Sequence, residues 1–82
     1  MNDKIEQLID RCDIDPETGK YVARSSAVPV YGVGESVQEA REDFVNAALD
    51  MYDDLIRAMN DGVQLYPHLE EFVKTMERVM EV

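Results

Sequence analysis

The sequence predicts a small α+β domain, and three observations carry that prediction. A long stretch over residues 36–61 places apolar side chains at helical spacing. A second, shorter stretch with the same spacing follows Pro67. Ahead of both, Gly and Pro cut the chain into short runs rich in β-branched and aromatic residues, arranged around one turn signal.

The turn is Asp15-Pro16-Glu17-Thr18-Gly19. Pro fixes φ after the Asp, and Gly accepts a positive φ at the exit. After it, Tyr21-Val22-Ala23-Arg24-Ser25-Ser26 reads as a strand. Residues 28–33 read as another, interrupted by Pro29, which marks an edge or a bent strand. The start of the chain is open to two readings. Ile5, Leu8, Ile9 and Cys12 fit one stripe of a helix, whereas in a strand only Ile5 and Ile9 share a face. The turn at 15–19, however, asks for a strand before it.

The long helix opens on Ser36-Val37-Gln38-Glu39, which has capping-box spacing. Ser36 is expected to accept from the Glu39 amide while Glu39 reaches back to the Ser36 amide. Val37, Ala40, Phe44, Ala47/Ala48, Met51, Leu55 and Ala58/Met59 then recur at three- and four-residue steps, and Gly62 suits the position just past the helix end. A second stripe runs beside the first through Val45, Leu49, Tyr52 and Ile56. Two stripes make a wide apolar face. Either the C-terminal segment covers the second stripe or Val45, Leu49, Tyr52 and Ile56 form a subunit interface. Val63-Gln64-Leu65-Tyr66 alternates weakly and fits a short strand. The last helix starts at Pro67, with Leu69, Phe72, Val73, Met76 and Val79/Met80 on its apolar side.

The chain has 82 residues, 18 of them acidic and 8 basic, for a formal charge of −10. That length makes one domain, and the ordinary apolar content of 45% argues against disorder. The charge argues against nucleic-acid binding, which needs a basic footprint. A small core gains from association, so a homo-oligomer, most simply a dimer, is expected. No apolar run is long enough to span a membrane and no signal-peptide core follows the N-terminus, so a cytoplasmic location is the expectation.

No constellation points to catalysis, and no cofactor or metal is expected. His68 is the one histidine and has no marked partner nucleophile or carboxylate. Cys12 has Arg11 beside it but also Asp10 and Asp13, which oppose a thiolate. The alternating acids from Asp13 fail as a calcium loop, because Thr18 and Arg24 stand where Gly and a bidentate Glu are needed. Gly32-Val33-Gly34 lacks the third glycine of a dinucleotide fingerprint and the Lys-Ser/Thr of a P-loop. It reads better as a strand exit closely approached by a helix. On the long helix, Glu39, Glu42, Asp43, Asp50, Asp53 and Asp54 outnumber Arg41 and Arg57. Such a surface is either a solvated face or one that attracts a basic partner.

The turn, the strand Lys20-Tyr21-Val22-Ala23, the segment Val30-Tyr31-Gly32-Val33-Gly34-Glu35-Ser36 and the helix start Val37-Gln38-Glu39-Ala40-Arg41-Glu42-Asp43-Phe44 occur in an order that resembles the HicB-like antitoxin family. The resemblance covers roughly residues 7–62 and is most specific over 34–44. Where that family usually has Pro-Asp-Leu-Pro-Gly, this chain has Ala27-Val28-Pro29-Val30-Tyr31-Gly32. The resemblance implies a three- to four-stranded antiparallel sheet in the order β-β-β-α-β-α, with the long helix on one face and a short C-terminal helix. It makes residues 5–11 a strand and 63–66 a short fourth strand. The domain then spans 1–82, with a core over about 4–66 and the C-terminal helix over about 67–81. The resemblance further implies an antitoxin that binds and neutralises a small basic RNA-cleaving toxin. The alternative is a stand-alone homodimeric structural or regulatory protein. Tyr21, Arg24 and Tyr31, with Asp50, Asp53 and Asp54, are the expected partner-binding residues. Many relatives carry a C-terminal DNA-binding segment. The residues after Gly62 are too few and too acidic for one, so direct DNA binding is not expected.

Overall fold

The computed structural model describes residues 3–81. The elements are α1 (Asp3–Glu6), β1 (Arg11–Ile14), β2 (Tyr21–Arg24), β3 (Tyr31–Gly34), α2 (Val37–Asn60) and α3 (Pro67–Met80). The strands form one antiparallel sheet in the order β1-β2-β3. Helix α2 packs across one face of that sheet, and α1 and α3 pack against α2 and each other. The fold is α+β, as predicted, with a long helix on one sheet face and a short helix at the C-terminus.

The β1–β2 hairpin is closed by its turn residues. The Asp15 amide donates to the Lys20 carbonyl at 2.8 Å, and the Gly19 amide to the Asp15 carbonyl at 2.7 Å. The Asp15 carboxylate also accepts from the Glu17 amide at 2.9 Å, and Gly19 adopts φ +73°. This is the local chemistry that an Asp-Pro-x-x-Gly segment offers a chain reversing direction.

The sheet has two unlike faces. Strand register puts Cys12, Ala23 and Gly32 in one row, with Ile14, Tyr21 and Gly34 in the next, all facing α2. Ala23 is fully buried there, against Ala40, Phe44 and Ala48 of α2 in the same core. Gly32 and Gly34 let the helix come close. A Cβ on Gly34 would stand 2.5 Å from the Ala40 amide nitrogen. The close approach read from Gly32-Val33-Gly34 is thus the role these glycines play. The opposite face carries Arg11, Asp13, Val22, Arg24, Tyr31 and Val33, and no element packs on it among the described residues.

Helix α2 starts as its sequence indicates, with one adjustment. Ser36 accepts from the Glu39 amide at 3.1 Å, but the Glu39 carboxylate accepts from Glu35, one residue earlier than expected. At the other end the Gly62 amide bonds to the Met59 carbonyl and the Val63 amide to the Ala58 carbonyl. With Gly62 at φ +84°, this is a Schellman closure.

Two strand assignments that the resemblance implies are corrected. Residues 5–11 are not a strand: the chain forms the helical turn α1, and β1 begins only at Arg11. The reason lies in the spacing. As a helical turn the segment buries Ile5 (2% exposed) between α2 and α3 and brings Leu8 and Ile9 against the same core. A strand would spend Leu8 on the wrong face. Residues 63–66 form no strand either. Leu65 alone turns inward, while Val63 and Tyr66 are exposed, and the segment serves as an extended lead into Pro67.

Candidate functional site

The six expected partner-binding residues do not form one surface. Arg24 and Tyr31 are directly opposite each other on β2 and β3, both exposed, on the sheet face turned away from α2. Tyr21 is on the other face, half-buried against the core. Period-two alternation places Tyr21 and Arg24 on opposite faces, since they are three apart. Asp50, Asp53 and Asp54 are exposed on the second half of α2. Of these, Asp54 meets Arg57 at 4.0 Å, a contact between two largely exposed side chains that adds little stability.

The open sheet face has a mixed charge pattern. Arg11 and Arg24 are directly opposite each other on β1 and β2. Like charges in that position repel. Arg11 is partly neutralised by Asp13 on its own strand, with Nε–Oδ2 at 3.1 Å. No carboxylate forms an ion pair with Arg24 among the described residues. At the end of this face Asp10, Arg11, Arg24, Ser25 and Ser26 line a shallow open depression. Asp10 organises it: its amide donates to the Arg24 carbonyl at 2.8 Å, and its carboxylate accepts from the Ser26 amide. Those Ser26 hydrogen bonds, with Arg11 nearby, hold the Asp10 carboxyl below the ordinary aspartate range.

The two outer edges of the sheet differ. On β3 the Val33 amide donates to the Asp43 carboxylate of α2 at 2.8 Å, so that amide points away from β2. Asp43 therefore blunts the β3 edge, because a strand adding there would find a donor already taken. This also sets the hydrogen-bonding phase across the sheet. Gly32 and Gly34 bond inward to β2, Val22 and Arg24 face β1, and Arg11 and Asp13 face β2 in return. The peptide groups of Cys12 and Ile14 are left pointing outward from β1. Among the described residues α1 contacts α2 and α3 but not β1, so it does not cover that edge.

The wide apolar face of α2 is used within the chain. Val45 is buried in the core, and Leu49, Tyr52 and Ile56 are half-buried against it. The Tyr52 hydroxyl donates to the Glu77 carboxylate of α3 at 3.5 Å. Burial, reinforced by the Glu77 charge, raises the Tyr52 phenol above its ordinary value. Arg41 of α2 ties α1 in place through Glu6 at 2.6 Å, and Lys4 pairs with Glu81 beyond α3.

His68 is exposed and stacks on Tyr66, with ring centroids 6.1 Å apart. Cys12 is a half-buried free thiol on the helix-facing side of β1. Among the described residues no three His, Cys, Asp or Glu side chains converge to hold a metal ion, and no helix is long and apolar enough to cross a membrane. What sequence reasoning missed was the difference between the sheet edges. In the sequence Asp43 is one of several acids on the long helix, and its reach to a strand amide has no signal in local spacing. No family model matches the chain, and no curated protein and no solved structure matches it.

Proposed function

We propose that the chain is a protein-interaction module that binds a small basic protein, in the manner of a HicB-like antitoxin neutralising an RNA-cleaving toxin, and that it performs no catalysis of its own. The observation that carries this reading is the exposed group Asp50, Asp53 and Asp54 on α2, opposed on that stretch only by Arg57. Exposed acids of one sign on a rigid helix accelerate encounter with a cationic surface and select against anionic ones. Arg24 and Tyr31, on the far side of the sheet, belong to a separate surface.

The test is co-expression with the product of the neighbouring reading frame, if that frame encodes a short basic protein. Co-elution on a sizing column is expected, with association weakened by salt and by the combined Asp50→Lys, Asp53→Lys and Asp54→Lys substitutions. Separate elution of the two chains overturns the antitoxin reading. The uncovered β1 edge favours a second reading, a stand-alone homodimer. It predicts a mass in solution that doubles with concentration.

A further inference from the structure

We infer that a second copy of this chain adds antiparallel to β1, with Cys12 opposite Cys12, and joins the two sheets into one of six strands. The inference rests on the homodimer reading and specifies its interface. It begins from the β1 edge. Cys12 and Ile14 direct their peptide groups outward, whereas the β3 edge is occupied by Asp43. Ile14, 55% exposed, adds apolar surface beside the same edge.

Charge selects both the occupant and the register. In a continuous sheet, residues opposite each other share a face, so only a few registers keep the open face and the helix-bearing face intact. Centring the pair on Arg11 opposes Arg11 to the partner's Arg11. Centring it on Asp13 opposes two aspartates while setting Arg11 against the partner's Asp15, and centring it on Ile14 opposes Asp13 to the partner's Asp15 while setting Arg11 against the partner's Glu17. Centring it on Cys12 opposes Arg11 to the partner's Asp13, and Asp13 to the partner's Arg11. Of these registers, the one centred on Cys12 is the one that opposes no like charges.

That register also relieves a fault within the single chain. Arg11 and Arg24 repel across β1 and β2. With the second copy in place, each open-face row reads Tyr31, Arg24, Arg11, then the partner's Asp13, Val22 and Val33. An acid from the second copy is set beside each pair of arginines. Cross-strand pairs of opposite charge are the favourable arrangement and like pairs the unfavourable one.

The experiment uses the full chain. Sedimentation from micromolar to millimolar concentration is expected to show a monomer–dimer equilibrium. In the same range, amide hydrogen exchange at Cys12 is expected to slow, while Val33, bonded to Asp43, stays unchanged. Arg11→Asp alone and Asp13→Arg alone are each expected to weaken self-association about tenfold or more, since each turns two opposite-charge pairs into like pairs. Mixing the two variants restores association as a heterodimer. A monomer at every concentration overturns the homodimer reading together with this interface. A dimer whose Cys12 amide exchanges at the monomer rate overturns the β1 pairing alone. Failure of the mixed variants to associate, with both folded by circular dichroism, overturns the register.

Discussion

A Cβ on Gly32 would stand 2.2 Å from the Phe44 amide nitrogen. The β3 backbone and the first half of α2 are therefore in direct contact, with no side chain between them. The Ala40 carbonyl oxygen is equally close, at 2.2 Å. Both obstacles are backbone, so neither can swing aside.

Replacing Gly32 with Ala is expected to cost about 3 kcal/mol, at the upper end for overpacking, because the helix as a whole must move. Gly19→Ala meets nothing within 4 Å and pays only for its φ of +73°, about 1 kcal/mol. Urea unfolding of the two variants checks this. Equal losses would mean that the close contact is not a constraint.

The N-terminal turn belongs to the core. Ile5 is 2% exposed and Ile14 is 55% exposed. Ile5→Ala is expected to lower stability by roughly 2–5 kcal/mol, the usual range for a buried aliphatic, and Ile14→Ala by less than about 1 kcal/mol in the monomer. Thermal melts at low concentration measure both. A negligible effect at Ile5 would place residues 3–6 outside the cooperative unit.

Tyr52 is expected to titrate above the ordinary tyrosine value, because burial opposes the phenolate and Glu77 repels it. A pKa raised on folding contributes stability that is complete below the unfolded value and is lost as pH rises through the folded value. The wild type should therefore lose more stability on the alkaline side than Tyr52→Phe does. Glu77→Gln removes the lesser cause, so the Tyr52 titration should move down without reaching the ordinary value. Ultraviolet titration of the phenols reads both effects.

Asp10 gives the opposite sign. Its carboxyl is held low, chiefly by Ser26, so its contribution is present above the unfolded pKa and is lost as pH falls through the folded one. Asp10→Asn is expected to melt lower at neutral pH and to show a flatter acid limb. If the two acid limbs are parallel, the Ser26 contact does not couple to folding. Carbon-detected titration of the Asp10 carboxyl, with its midpoint below the ordinary aspartate value, is the direct check.

Much of the secondary structure was legible because it depends on near neighbours. Ser36 and Glu39 marked the start of α2, Gly62 its end, Pro67 the start of α3, and Asp15 through Gly19 the hairpin. The start of the chain was not legible in this way. Ile5, Leu8 and Ile9 fit a helix while the turn at 15–19 asked for a strand before it, and the chain contains both, α1 over Asp3–Glu6 and β1 from Arg11. The weak alternation at 63–66 carried no such information, because a strand needs a neighbouring edge as well as a pattern. For the candidate site, residue type marked Arg24 and Tyr31 as exposed, but Tyr21 fell on the opposite face once the register was set.

By itself the sequence determined where α2 begins and ends, where α3 begins, where the chain turns, and that the protein is strongly acidic. These follow from spacing, caps and counting, which act within a few residues or over the whole composition. Only the tertiary structure decided which face of each strand looks outward, that Asp43 closes one sheet edge, that the other remains open among the described residues, and that Tyr52 of the second α2 stripe meets Glu77 of α3. Each of these depends on groups far apart in the chain, such as Val33 with Asp43 or Tyr52 with Glu77, brought together by packing that local spacing does not record.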